Sequence, residues 1–107
     1  MTGPIFDTHA HYSAHAFDAD RFALLDSLPA KGVVGVCEQA THSGDAPRVL
    51  ELAHRYPWVV AAIGIHPESL LAPEDCGADG PAPTVSVYGG DWAAEMRALA
   101  PYYDDPK

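Results

Sequence analysis

Two histidines near the N-terminus, His9 and His11, have the types and spacing of a metal-binding pair. In an extended strand, residues two apart point to the same face, so both imidazoles can reach one divalent cation. Neutral imidazole is a common ligand of divalent metals. The same pattern also fits two polar residues at a strand end. A catalytic zinc centre needs about three protein ligands plus water, so the pair alone does not complete one.

Other polar residues lie where predicted strands end. Asp7 lies on the same face as the pair by simple alternation, where it either orients a histidine or hydrogen-bonds to the backbone. His66 ends the third predicted strand, and we expect it to contact a substrate phosphate or a metal-bound water. The alternative for His66 is a turn histidine before Pro67. His15, in the first strand-to-helix loop, is a weaker candidate for touching substrate.

Three further polar side chains receive weaker interpretations. Glu38 follows the second predicted strand and is near the site if strand ends converge, but a solvated loop carboxylate is the favoured interpretation. His42 follows the same strand and is a minor candidate. His54 is predicted to be a surface residue of a helix.

The elements that must position these residues alternate between strand and helix. Apolar runs and helical spacing predict strand 4–9, helix 20–28, strand 32–37, a helix capped by Ser43 and stopped by Pro57, strand 58–65, and a helix capped by Asp91 and ended by Pro101. In the first helix, Phe22, Leu25 and Leu28 are spaced to face a core. The second helix has the same helical spacing at Val49, Leu52, Ala53 and Tyr56, and the third has Trp92, Met96 and Leu99 on one face. Such alternation predicts a parallel sheet in one domain spanning residues 1–107. Residues 66–90, rich in Gly and Pro, are predicted to form a long loop.

The amino-acid composition limits the classes of protein to which the chain can belong. The 107 residues are 48% hydrophobic and 20% charged, which is ordinary for a globular domain. No apolar run is long enough for a membrane span and no signal peptide is visible, so we expect a cytoplasmic protein without membrane partners. Cys37, expected to be a small buried side chain, and Cys76, expected to be a free loop thiol, do not form a disulfide framework.

The formal net charge is −9, from 15 acidic and 6 basic residues. This charge argues against a broad DNA-binding surface, which needs Lys and Arg to displace counterions. It does not argue against an enzyme that meets phosphate through metal ions, because a bound cation inverts the local charge.

Four segments, taken in order, resemble the TatD family of metal-dependent hydrolases and deoxyribonucleases. They are Asp7-Thr8-His9-Ala10-His11, Phe17-Asp18-Ala19-Asp20-Arg21, Gly32-Val33 and Ala62-Ile63-Gly64-Ile65-His66-Pro67. The resemblance covers about residues 4–67 and extends more loosely to 107. It implies a TIM-type barrel of the amidohydrolase-like superfamily with one or two divalent cations (Mg, Mn or Zn).

The resemblance also implies roles for individual residues. His9 and His11 would be metal ligands, and His66 would lie near a substrate phosphate. The expected reaction is phosphodiester hydrolysis of DNA by metal-activated water, typically as a 3′-to-5′ exonuclease. No catalytic residue within the chain is assigned.

The family's other ligands are a Glu after the fourth strand, two more His and an Asp, which lie beyond residue 107. The chain is therefore expected to be the N-terminal portion, about three βα units, of a (β/α)8 barrel, and apparently truncated. Alone it is expected to be inactive and marginally stable.

Two alternatives stay open. One is another amidohydrolase or a phosphoesterase of the polymerase-and-histidinol-phosphatase type. The other is a non-catalytic barrel fragment that needs a partner chain or the missing C-terminal part, because unpaired sheet edges invite association.

Overall fold

The computed structural model describes residues 3–70 and 91–107. Within these residues the elements are β1 (Ile5–Ala10), α1 (Arg21–Ser27), β2 (Val33–Gln39), α2 (Ala46–Arg55), β3 (Val59–Ala62) and α3 (Trp92–Leu99). Short 3-10 helices lie at His15–Phe17, Pro29–Lys31, Pro67–Leu70 and Ala100–Asp104. The alternation of strand and helix confirms the predicted α/β class.

The three strands form one parallel sheet in the order β1-β2-β3. Ile5 pairs with Val33 in β2, and Val36 pairs with Val59 in β3. The register between β1 and β2 shifts between Asp7 and Ala10. Because the strands are parallel, β1 and β2 both end at the same edge of the sheet, and the residues that follow them are brought together there.

The described residues fall into two compact units. The first comprises residues 3–39, 48–62 and 107, and the second comprises 40–47, 63–70 and 91–106. The prediction of a single domain stays a prediction.

The core of the first unit lies between one face of the sheet and two helices. Helical spacing in α2 places its apolar side chains on one stripe, and burial of that stripe confirms the predicted face. The buried cluster consists of Ala10, Leu25, Leu28, Val36, Leu52, Ala53, Tyr56 and Val59. Val49, also on the predicted stripe, is fully buried. These contacts hold α1 and α2 against the sheet.

One predicted core residue of α1 lies outside this cluster. Phe22 is partly exposed, and the Arg55 guanidinium lies 4.1 Å from the centre of its ring. Leu25 and Leu28, from the same predicted stripe, are buried. Cys37 in β2 is only partly buried, so its interpretation as a buried side chain needs correction. Cys76 lies outside the described residues, as does most of the predicted loop.

In the second unit, Asp91 caps α3 as predicted, since its carboxylate accepts hydrogen bonds from the backbone N–H groups of Ala93 and Ala94. Leu99 is fully buried, but Trp92 and Met96 of the same predicted stripe are largely exposed. Of the three residues predicted to lie on one face of α3, only Leu99 is therefore buried, and Glu95 is buried as well.

Several element ends differ from the predicted ones. Helix α2 begins at Ala46, so Ser43 lies too early in the chain to cap it, and the Ser43 N–H donates to the buried Glu95 carboxylate. Strand β2 extends two residues further than predicted, to Gln39, whereas β3 ends at Ala62 rather than Ile65. No helix within residues 3–70 and 91–107 has the length and apolar character that a membrane crossing requires.

The packing of α2 against α1 predicts a measurable role for Tyr56. Its ring is buried, and its hydroxyl donates to Asp26 at 2.8 Å. We expect Tyr56→Phe to lower the free energy of unfolding by about 1 kcal/mol. Burial, and then the hydrogen bond to Asp26, raise the pKa of Tyr56 above its ordinary value.

The stabilisation by Tyr56 is therefore complete below the pKa of the unfolded chain, near ~10, and is lost as pH rises through the folded-state pKa. Denaturant unfolding of both proteins at several pH values checks this, with Tyr102→Phe, whose hydroxyl makes no hydrogen bond among the described residues, as the control. A difference between wild type and Tyr56→Phe that grows above ~pH 10 contradicts the prediction.

Candidate metal centre

The predicted histidine pair lies at the C-terminal end of β1. His9 is the penultimate residue of the strand, and His11 follows the strand directly. The His9 ring is exposed, and the His11 ring is partly buried. Their Nε2 atoms lie 3.2 Å apart, with the two rings edge to face. The two imidazoles therefore converge on one point through the same ring nitrogen.

The tautomer of His11 follows from its other ring nitrogen. Nδ1 of His11 lies 3.2 Å from the backbone carbonyl oxygen of Gln39, at the end of β2. A carbonyl oxygen only accepts, so Nδ1 carries the proton and donates it. Nε2 of His11 is then left with its lone pair. A hydrogen bond from the distal ring nitrogen to a carbonyl is the usual support of a metal-binding histidine.

The two rings fit a divalent cation as part of a larger ligand set. Two nitrogens that bind one tetrahedral zinc ion at about 2.0–2.1 Å lie roughly 3.3 Å apart, close to the observed Nε2 separation. A cation bound here would need both Nε2 atoms without hydrogen, so the N–H of each neutral ring would lie on Nδ1. Within residues 3–70 and 91–107, no group of three or more His, Cys, Asp or Glu is arranged to hold a metal ion.

Asp7 contacts the backbone of the pair. Its Oδ1 accepts a hydrogen bond from the His9 N–H at 3.2 Å. Of the two interpretations left open, this geometry corresponds to the hydrogen bond to backbone. Asp7 thus helps to hold the irregular end of β1, where the register with β2 shifts.

Glu38 is the main correction to the sequence interpretation of the site. It is not a solvated loop carboxylate but a residue of β2 whose side chain is 1% exposed. Its Oε1 accepts from the Ser13 N–H at 2.6 Å, and its Oε2 accepts from the Tyr12 N–H at 3.0 Å. Burial raises the pKa of Glu38, although both backbone hydrogen bonds oppose that rise. The carboxylate therefore joins the end of β2 to the chain just after His11.

The weaker candidate, His15, lies in a charged cluster. Its Nδ1 is 2.9 Å from Asp18, and Arg48 Nη1 lies 3.2 Å from its Nε2. Arg21 Nη2 donates to the same Asp18 carboxylate at 2.6 Å. Hydrogen bonds from Arg21 and then His15 lower the pKa of Asp18 to about 2. The His15 ring is therefore held among charged partners, although it is largely exposed.

His66 belongs to the second unit, where two hydrogen bonds hold its backbone. The His66 N–H donates to the Thr41 carbonyl at 2.7 Å, and the His66 carbonyl accepts from the Ser69 N–H at 2.9 Å. His42 is buried in the same unit, and its Nδ1 accepts from the Gly44 N–H. His54 is exposed on α2, as predicted. The assignments of His9, His11, His15 and His66 stay predictions.

Sequence reasoning missed the residues that support the pair. Arg21 stood in a recognised motif but received no role, and Arg48 was not singled out. Glu38 was named but placed in solvent. The available signal was its position, because a carboxylate directly after an apolar strand lies at the sheet edge that His11 also reaches. Its partners are backbone amides far away in sequence, which no local pattern reveals.

Comparison with known proteins identifies the family. The family model described as TatD related DNase matches residues 6–96, which is most of the chain. The human protein named deoxyribonuclease TATDN3 is 36% identical over 72 residues, which cover 66% of this chain and 26% of the relative. The Escherichia coli K12 protein named uncharacterized metal-dependent hydrolase YjjV is 38% identical over 64 residues, covering 60% of this chain and 25% of that protein.

A solved structure agrees in fold. The crystal structure of YjjV, described as a TatD homolog from Escherichia coli K12, superposes with a TM-score of 0.64 at 23% identity. The match covers 94% of this chain and 32% of the solved one. This chain thus spans about a quarter of the length of the curated relatives that it matches. Together with the match over residues 6–96, the parallel sheet and the motif order show that the chain belongs to the TatD related DNase family.

Proposed function

We propose that the protein acts as a metal-dependent hydrolase of DNA phosphodiester bonds, in the exonuclease manner expected of its family. The observation that carries the proposal is the convergence of two imidazole Nε2 atoms at the C-terminal edge of a parallel sheet. Relatives carry the names deoxyribonuclease and metal-dependent hydrolase, which supports the same reaction class. The cytoplasmic location stays part of this proposal.

In this proposal, His9 and His11 hold a divalent cation (Mg, Mn or Zn) through Nε2. When bound, such a cation supplies charge neutralisation and Lewis-acid polarisation at a phosphate. His11 keeps its donor nitrogen on the Gln39 carbonyl, which fixes the ring. His9 is the more exposed of the two residues, so substrate would reach the cation from its side. A chain of net charge −9 can then meet an anionic substrate at this point.

His66 is proposed to bind a substrate phosphate. Its backbone is held at both the N–H and the carbonyl, which fixes the main chain from which the imidazole extends. An imidazole can donate a hydrogen bond to a phosphate oxygen. His15 stays a weaker substrate-binding proposal, because Asp18 and Arg48 already face its ring.

We further propose that the described strands are the first three of a (β/α)8 barrel. Phe6 packs over Gly35, and Val60 pairs with Cys37, so both lie on the sheet face opposite the helices. They are 54% and 41% exposed, whereas parallel sheets are normally covered on both faces. In addition, the Lys107 carbonyl accepts a hydrogen bond from the Ala61 N–H of the edge strand β3. In a (β/α)8 barrel, a fourth strand pairs with β3 along this edge.

The barrel proposal is tested by the intact mass of the native protein from its source. A complete barrel of ~250 residues predicts a mass near ~28 kDa. A mass near 11.4 kDa contradicts a single-chain barrel. Native mass spectrometry then separates a monomer from a chain that completes its sheet with a partner.

The metal assignment predicts distinct effects for two sets of variants. His9→Ala combined with His11→Ala should nearly abolish both metal binding and turnover, because two ligands are removed. His66→Ala should keep the metal and lower kcat/KM, because only a phosphate contact is lost. His54→Ala, on the exposed face of α2, is the control. The measurements are metal content by mass spectrometry and hydrolysis of labelled DNA by the full-length protein.

Two outcomes contradict these assignments. Unchanged metal content and activity in the double variant would reject His9 and His11 as ligands. Loss of metal from His66→Ala would make His66 a ligand rather than a phosphate contact.

A further inference from the structure

The segment directly after His11, residues 12–14, has its backbone polar groups held by charged side chains. Within this segment, Arg48 donates to the Ser13 carbonyl alone, whereas Glu38 and Arg21 each contact two or more backbone groups. The segment's N–H groups at Tyr12 and Ser13 donate to the two oxygens of Glu38. Its carbonyl groups face the guanidinium of Arg21. We call the side chains of Glu38 and Arg21 the backbone clamp.

The guanidinium of Arg21 donates three hydrogen bonds to this segment. Its Nε donates to the Tyr12 carbonyl at 2.6 Å, and its Nη2 donates to the carbonyls of Ser13 and Ala14 at 3.1 and 2.8 Å. The side chain of Arg21 is only 12% exposed. A buried guanidinium directed at consecutive carbonyls fixes the path of the chain more firmly than a single point contact can.

The clamped segment is continuous with His11 itself. The Ala14 N–H donates to the His11 carbonyl at 3.0 Å, so His11 begins a closed turn. The His11 ring reaches the carbonyl of Gln39, the residue next to Glu38 in β2. Glu38 therefore fixes the main chain after His11, and its neighbour fixes the ring, from the same strand end.

We propose that Glu38 and Arg21 are positioning residues for the metal centre, which set the direction of the His11 imidazole through the backbone of residues 12–14. This inference rests on the proposed metal site and extends it to residues that do not touch the metal. A ligand already held in its binding geometry loses less conformational entropy when metal binds. Loss of either side chain lets the turn move, which lowers the metal affinity as well as the free energy of unfolding.

The test is titration of the metal-depleted full-length protein with Co²⁺, followed by its visible absorption. The variants are Glu38→Gln, Arg21→Lys and Arg21→Ala. Glu51→Gln and Arg97→Ala remove the same charges from exposed helix positions and serve as controls. Titrations are made well below the unfolding temperature, with near-ultraviolet circular dichroism confirming that each variant is folded.

We expect the Co²⁺ dissociation constant to rise about tenfold or more in Glu38→Gln and Arg21→Ala, which is the range for supporting residues of metal sites. Arg21→Lys keeps the positive charge but lacks the planar guanidinium with its several N–H donors. Its dissociation constant should therefore lie between those of wild type and Arg21→Ala. Both controls should bind like wild type. Long-range ¹⁵N spectra should show a single His11 tautomer, protonated at Nδ1, in wild type and a mixture in Glu38→Gln.

Results that overturn the positioning role differ from those that overturn the proposed function. Folded clamp variants that bind Co²⁺ within twofold of wild type, with His11 in one tautomer, would overturn the positioning role and leave the metal site standing. Wild type that binds no more Co²⁺ than the His9→Ala, His11→Ala double variant would overturn the proposed function itself. If Glu38→Gln does not fold, the Co²⁺ dissociation constants of Arg21→Lys and Arg21→Ala test the positioning role. Values within twofold of wild type for both variants would overturn it.

Discussion

The arrangement of the site depends on one buried carboxylate. Glu38 is almost fully removed from water, which is costly for an ionised group unless hydrogen bonds compensate it. Its two oxygens each accept a backbone N–H from the turn after β1, and hydrogen bonds to charged groups contribute about 1.5–3 kcal/mol each. Because Glu38 belongs to β2, these bonds fix where the chain leaves β1 relative to its neighbouring strand.

This constraint links the fold to the chemistry. Burial of apolar side chains from α1 and α2 holds the sheet together, but it does not determine the direction of a side chain beyond the strand end. The polar contacts of Glu38, Arg21 and the Gln39 carbonyl supply that direction for His11. Charged side chains inside the structure thus help to hold the His11 ring beside that of His9.

Much of this could be predicted from sequence, and the failures share a cause. The α/β class, the buried stripe of α2 and the Asp91 cap follow from local spacing, and all three are present. The burial of Glu38 and the role of Arg21 depend on backbone groups brought together by the sheet, which periodicity does not encode. Helix α2 likewise begins at Ala46 rather than directly after Ser43, whose N–H donates to a carboxylate distant in sequence, Glu95.

The Nε2 atoms of His9 and His11 are proposed to bind one metal ion together. Diffraction from crystals grown with Zn²⁺, with data collected on both sides of the zinc absorption edge, tests this directly. We expect an anomalous peak about 2.0–2.1 Å from Nε2 of both His9 and His11, with His11 Nδ1 still on the Gln39 carbonyl. A peak bound elsewhere, or none near these two rings at saturating Zn²⁺, would contradict it.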